Sequence, residues 1–315
     1  MLTAATLKPE IETYAADELR LLADSVALES VHWPIFEQAG VEVSIRRDDK
    51  IHPLASGNKF YKLHHNFASA KRQGLKTLLS FGGAWSNHIY ALAALGREQG
   101  FQTVGVIRGE RPRQPSDMLL DAEAMGMTLH FVTRLEYRGK AALEPALRRK
   151  YGAIYIIPEG GANLLGALGC RAMGESLARQ EFDAVYLPAA TGGTLAGLAA
   201  GLADGQKAFA INVLKGDGTQ VPDTRMLTRA LGNCRDNWQL IDGYHCGGYA
   251  KYPAELQDFV QRFELASGLP VEPVYGAKLW WALSDMAAKG VWPQGYKIMV
   301  IHTGGLQGRR GYSPY

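Results

Sequence analysis

Ala184-Val185-Tyr186-Leu187-Pro188-Ala189-Ala190-Thr191-Gly192-Gly193-Thr194-Leu195-Ala196-Gly197 is the stretch that sets the fold class. A short apolar run ends in a glycine pair flanked by threonines, and a helical pattern through Leu195, Leu198 and Leu202 follows at once. Working outward, the same order recurs. Thr77 to Phe81 reads as a strand ending in Gly82-Gly83, and Ile89, Leu92, Ala93, Leu95 and Gly96 then mark a helix face. Further apolar runs are Val104–Ile107, Leu129–Val132, Ile154–Ile157, Phe209–Val213 and Ile298–Ile301, with a helical pattern through Leu119, Ala122 and Met125. Apolar runs without strict alternation indicate strands covered on both faces. The expectation is an α/β layer architecture with mostly parallel sheets flanked by helices. Strands that end in glycine just before a helix place ligand sites at the carboxyl edge of such sheets.

The glycine pair Gly192-Gly193, with Thr191 and Thr194, lets backbone N–H groups converge at a helix start, where an anion is favoured. A tight strand-to-helix turn without a ligand gives the same pattern. No GK[ST] follows the glycines and no GxGxxG is present, so neither a Walker A loop nor a dinucleotide fingerprint is read here. Upstream, Ser56-Gly57-Asn58-Lys59-Phe60-Tyr61-Lys62-Leu63 begins another helical pattern. An ammonium at that position meets the positive end of the helix dipole, and burial adds a desolvation cost. Both favour the neutral, nucleophilic amine, which suits Lys59 to Schiff-base chemistry. A solvated lysine on an amphipathic helix is the plainer reading. Ser86 is suited to cap the helix that follows it, and capping alone would explain it. Tyr275 reads as an aromatic anchor at a helix start, and Thr303 as a strand-end turn residue.

Bulk properties narrow the field. The 315 residues allow two domains or one large one. A net charge of +3, with Arg108, Arg111 and Arg113 as the one noticeable basic cluster, argues against nucleic acid. Cys170, Cys234 and Cys246 are few and widely separated, which suggests neither a metal site nor a disulfide framework and fits a reduced cytoplasm. Met1 to Ile11 lacks the pattern of a signal peptide, and no apolar run is long enough to span a bilayer.

Four segments in order, Ser56–Leu63, Gly82-Gly83-Ala84-Trp85-Ser86-Asn87-His88, Ala190–Gly197 and His302-Thr303-Gly304-Gly305, resemble the pyridoxal-phosphate (PLP) enzymes of fold type II, the tryptophan synthase β-like group. Within that group the chain resembles the 1-aminocyclopropane-1-carboxylate (ACC) deaminase and D-cysteine desulfhydrase family, from about Ile35 to Gly305. Ile157–Asn163, Ala124–Met127 and Glu272-Pro273-Val274-Tyr275 add to the match. The resemblance implies two open, mostly parallel sheet domains: a large PLP-binding domain over 1–61 and 176–315, and a small inserted domain over 62–175. It implies that Lys59 carries the cofactor and that Lys62, Thr191, Gly192, Gly193 and Thr194 hold its phosphate. Asn87 would meet its ring hydroxyl and Thr303 its ring nitrogen. Ser86, Asn87, His88, Tyr249 and Tyr275 would contact a small amino-acid substrate, with Lys59, Ser86 and Tyr275 sharing the catalytic work. A homodimer is expected by the same analogy.

Two departures bear on substrate. ACC deaminases of this family carry glutamate after the tyrosine and leucine before the last glycine pair, where this chain has Gly276 and Thr303. Thr303 matches the desulfhydrase pattern, so the expected activity is α,β-elimination of D-cysteine to pyruvate, ammonia and sulfide. ACC deamination, or racemisation or dehydration on the same scaffold, is the alternative. Readings from other classes are a non-catalytic PLP or amino-acid binding protein, against which Lys59 and Asn87 speak, and a nicotinamide oxidoreductase, against which the missing GxGxxG speaks.

Overall fold

A computed structural model describes residues 12–216 and 220–312. The reading of Met1 to Ile11 lies outside the described residues. Among the described residues, ten strands form two sheets. In chain order they are β1 Leu28–Ser30, β2 Glu42–Arg46, β3 Thr77–Gly82, β4 Gln102–Arg108, β5 Thr128–Val132, β6 Ile154–Ile156, β7 Ala184–Ala189, β8 Lys207–Asn212, β9 Trp238–Ile241 and β10 Lys297–Ile301. One sheet has the order β1-β2-β10-β7-β8-β9 and the other β5-β4-β3-β6. Every pairing is parallel except β1 with β2. The four-stranded sheet uses only residues between 77 and 156, and the six-stranded sheet uses strands on either side of that span. Helices cover both faces, and apolar clusters fill the spaces between. Strands β1, β2 and β9 are additions to the sequence reading. They are short, lie toward the sheet edges and are partly exposed, so they lack the continuous apolar run of β7.

Helix Asn58–Arg72 starts at Gly57 and lies against helix Leu164–Leu177. A Cβ at Gly169 would stand 1.9 Å from the Tyr61 carbonyl oxygen, so only glycine permits this approach. Helix Gly193–Gly201 packs as closely on the far side, with the Gly197 Cβ position 2.1 Å from Ala167 O. The helix of Lys59 is thereby set beside the helix that opens at the glycine pair.

A buried polar network fixes the start of the first of these helices. Arg46 Nε donates to Asp48 at 2.9 and 3.1 Å, and its other nitrogens reach Ser176 Oγ, Ala23 O and Tyr61 OH. Tyr61 OH donates to Asp48 Oδ1 at 2.6 Å. All three members are essentially sealed from water. Burial pushes the Asp48 carboxyl up and the Arg46 charge opposes it. Removing one partner strands the other charge. Asp48→Ala is therefore expected to cost about 3–5 kcal/mol, read as a lower midpoint in urea unfolding with an unchanged slope. An unchanged midpoint would show that the network is not stabilising.

Trp280 and Trp292 lie in the core and Trp281 packs against it. No helix of the described residues is long and apolar enough to cross a membrane. None of the described residues form a metal-binding group of three His, Cys, Asp or Glu. The three cysteines are unpaired.

Candidate active site

The site lies where the carboxyl ends of β3, β7 and β10 meet the start of helix Asn58–Arg72. Lys59 is the second residue of that helix, its side chain deep in the molecule yet partly open to the cleft. Burial and then the charge of Lys62 bring its amine down to about 7, while Cys170 and Glu272 oppose them. One turn on, Lys62 is 1% exposed. Its Nζ donates to Gly160 O at 3.1 Å and Thr191 Oγ1 at 3.4 Å. A Cβ at Gly193 would stand 3.5 Å from the same Nζ. Lysine, threonine and the first turn of helix Gly193–Gly201 therefore converge, and the first N–H groups of a helix have no partner within it. Gly192 takes φ +72°, and a Cβ there would overlap Thr224 Oγ1 at 1.9 Å. The Thr194 hydroxyl is engaged differently. It accepts from Asn58 Nδ2 at 2.9 Å, and Thr194 is buried, so its free contribution is the backbone N–H.

Across the cleft, Ser86 caps helix Asn87–Glu98, accepting from Ile89 N at 3.3 Å. Asn87 Oδ1 accepts from Gln307 Nε2 at 3.3 Å, and its amide lies so close to Gly305 that a Cβ would stand 2.3 Å from Nδ2. His88 is buried, its ring on Ser80 rather than in the open cleft, so a substrate would meet this residue through its backbone. Thr303 lies in the turn after β10, whose carbonyl oxygen stands 1.9 Å from the Cβ position of Gly57. Neighbouring His302 shapes that turn, accepting from Gly304 N with Nδ1 and facing Pro270 O with Nε2.

Tyr275 precedes helix Gly276–Ala288, and Tyr249, 42% exposed, meets it edge-on with centroids 6.0 Å apart. The supporting roles here have no local signature in sequence, even where the residue lies in a recognisable stretch. Glu272 accepts from the N–H groups of Val274, Tyr275 and Gly276, and burial raises it to about 7 against those bonds. Lys278, 0% exposed, donates to Gly248 O at 2.6 Å and Val213 O at 3.4 Å, anchoring the loop of Tyr249. That loop holds Cys246 and Ala250 at φ +52° and +57°. Cys170 is buried, and burial raises its thiol to about 11 against the charges of Lys62 and Lys59. The residues after β10 form a strap. Arg310 pairs with Asp121 at 2.5 Å, Arg309 with Glu264 at 3.1 Å, and Trp85 packs on Gly311 with no room for a Cβ.

The sequence pattern of the family described as "Pyridoxal-phosphate dependent enzyme" matches residues 30–304. The chain belongs to the pyridoxal-phosphate dependent enzymes. It is 32% identical to a Pyrococcus furiosus protein provisionally named 1-aminocyclopropane-1-carboxylate deaminase, over 88% of this chain and 89% of that one. It is 28% identical to the D-cysteine desulfhydrase of Serratia proteamaculans, over 94% and 96%. Among solved structures, one described as an ACC deaminase homologue superposes with a TM-score of 0.79 at 26% identity, covering 96% of this chain and 97% of that one. The cofactor of this pyridoxal-phosphate dependent enzyme is PLP, and the residues present fit it. A lysine held near neutrality suits the aldehyde. A second lysine, a threonine and a glycine-lined helix start converge on one point, as a phosphate requires.

Proposed function

We propose that this PLP-dependent enzyme is a lyase that splits D-cysteine, with water, into pyruvate, ammonia and sulfide. The observation that carries the reading is the pair Gly276 and Thr303. Gly276 carries no side chain at its helix start, and a Cβ there would meet Val271 Cγ1 at 3.5 Å and Glu272 Cβ at 3.9 Å, both ordinary contacts. No acidic side chain therefore projects from the place where ACC deaminases carry one. Thr303 puts a hydroxyl where those enzymes carry leucine. Relatives that carry both names support the lyase class.

Lys59 tethers the cofactor, and Lys62, Thr191, Gly192, Gly193 and the Thr194 N–H take its phosphate. Asn87, oriented by Gln307 and close against Gly305, would hold the ring hydroxyl, and Thr303 would hydrogen-bond the ring nitrogen. When bound, PLP withdraws the electron pair left at Cα as the proton departs. The first turn of helix Asn87–Glu98, with the Ser86 hydroxyl and the backbone of Asn87 and His88, receives the substrate carboxylate. Tyr249 and Tyr275 wall the side chain and exclude water. Lys59, whose lowered basicity suits proton transfer near neutral pH, would take the Cα proton once released from the cofactor. Ser86 and Tyr275 stand ready to share proton movement on the opposite face. The same reading has 62–175 as a small domain inserted into 1–61 and 176–315. It also has the chain working as a cytoplasmic homodimer without nucleic acid or membrane; the three unpaired cysteines support a reduced compartment.

The test compares sulfide released from D-cysteine with 2-oxobutyrate released from ACC by the purified, PLP-loaded protein. Sulfide with no 2-oxobutyrate is expected. 2-Oxobutyrate without sulfide would overturn the weight placed on Gly276 and Thr303.

A further inference from the structure

The basic cluster of Arg108, Arg111 and Arg113 has no part in the lyase chemistry. Within it, Arg111 is paired with Glu123 at 2.9 Å. Arg108, the exposed last residue of β4, forms no ion pair with the described residues. Its guanidinium lies over the ring of Tyr137, 5.9 Å from the centroid, and Lys140 Nζ approaches the same ring at 5.1 Å. An aromatic face holds a guanidinium in place while leaving its N–H donors unspent. Tyr137 is 4% exposed, so the platform is fixed, and its own hydroxyl is buried without a hydrogen-bond partner. β4 pairs with β3 so that Ile107 stands opposite Gly82, which brings Arg108 level with Gly83. Arg108 Nη2 is the atom that a Cβ at Gly83 would meet, at 3.6 Å. Gly83 O in turn accepts from Ser86 N at 3.1 Å. One turn therefore bears the guanidinium on its flank and opens helix Asn87–Glu98. Tyr249 and Tyr275 meet edge-on, and Arg108 and Glu159 are among the charges that act on Tyr249. Glu159 is paired with Lys140 at 2.9 Å and so does not neutralise the arginine.

We propose that Arg108 is a specificity-determining residue that takes a second anionic group, an oxyanion at the end of the substrate's β-substituent. The cleft then selects amino acids with an acidic side chain over neutral ones of the same shape. The assignment rests on the lyase reading, with the substrate α-carboxylate at the start of helix Asn87–Glu98 and its side chain toward Tyr249. A guanidinium suits the task because two of its N–H groups pair with one carboxylate. It stands idle when the substrate is D-cysteine and engages longer, acidic relatives. Elimination from such a relative balances in the same way. With S-carboxymethyl-D-cysteine the Cα proton passes to the base, the Cβ–S bond breaks, and its electron pair leaves with the sulfur as thioglycolate. The three-carbon remainder takes up water and releases ammonia to give pyruvate.

The experiment uses S-carboxymethyl-D-cysteine and its amide, S-carbamoylmethyl-D-cysteine, which differ in charge and hardly in shape. Binding of each to the PLP-loaded protein is read from the cofactor absorbance, with pyruvate release followed alongside. The parent is expected to bind the acid about tenfold more tightly than the amide. Arg108→Gln should bring that ratio close to one and Arg108→Glu should invert it. Arg108→Lys keeps the charge but loses the planar fork, and should retain a ratio of about three. Raising the salt from about 0.05 to about 0.5 M should shrink the parental preference. A parental ratio of one, or an acid that does not bind, would overturn the proposal. So would an acid preference that survives in Arg108→Gln, including the case where both compounds weaken equally, which places the guanidinium on the α-carboxylate they share. Should the variants not fold, a parental preference unmoved by salt would be decisive against it. Sulfide release from D-cysteine by the parent separates the two readings. Its absence would remove the desulfhydrase reading, whereas the ratio of acid to amide, read from binding alone, would still decide the role of Arg108.

Discussion

Lys59→Ala is expected to abolish turnover, by on the order of a thousandfold or more, and to leave PLP bound only reversibly. The loss is large because one side chain does two things. In the proposed mechanism it is the nucleophile that holds the cofactor and the base that stands free once the substrate amine takes its place. Both tasks depend on the neutral amine, and the protein prepares that form by enclosing the side chain and setting Lys62 one turn away. The sign of the pH dependence follows. With the amine brought down to about 7, protonation silences it below that point and deprotonation releases it above. Capture of PLP by the cofactor-free enzyme should therefore rise about fivefold between pH 6 and 7 and level off above about 8. Sulfide assays, borohydride trapping and the capture profile measure the three effects. Near-normal turnover in Lys59→Ala would remove Lys59 from the chemistry.

The second large effect is expected two residues earlier. Gly57 takes φ +70° and ψ −151°, a conformation essentially closed to side chains. A Cβ there would also stand 1.9 Å from Thr303 O and 2.5 Å from Gly304 N, both main-chain atoms that no rotamer change can move aside. The fit is mutual, since a Cβ at Gly304 would stand 2.6 Å from Ser56 Oγ. Gly57→Ala should thus cost about 3 kcal/mol or more and force the Lys59 helix away from the Thr303 turn. PLP affinity should fall at least tenfold along with stability. Urea unfolding and cofactor titration together test this. A variant with parental stability and affinity would show that the two turns are not in contact.

These two positions mark what is legible in sequence and what is not. Gly57 and Lys59 flank Asn58 at a helix start, and Thr191 to Thr194 sit between a strand and a helix, so local turn chemistry announces both. Ser86 caps its helix as its residue type suggests. The contact between Gly57 and Thr303 joins residues far apart in the chain, and nothing local to either declares it. The Arg46, Asp48 and Tyr61 network is hidden for the same reason, since Ser176 and Ala23 complete it from distant helices. Thr194 and His88 show a subtler limit. Their neighbourhood is readable from the motif, but which way a hydroxyl or an imidazole is engaged depends on Asn58 and Ser80, which the motif does not contain. Glu272 belongs to a recognisable stretch, yet its work as the acceptor for three backbone N–H groups emerges only when the chain bends back at Pro273.

The strap after β10 has a mechanical consequence. Gln307 reaches Asn87, Arg310 reaches Asp121 and Gly311 lies against Trp85, all across the gap between the two sheets. Any motion that swings the four-stranded sheet away from the six-stranded one must strip those contacts together, and it loosens Asn87 in the same stroke. If Asn87 holds the cofactor ring as proposed, opening the cleft and releasing that grip are one event. On that reading, the residues just after β10 couple how fast molecules pass through the cleft to how firmly the cofactor is held while they do.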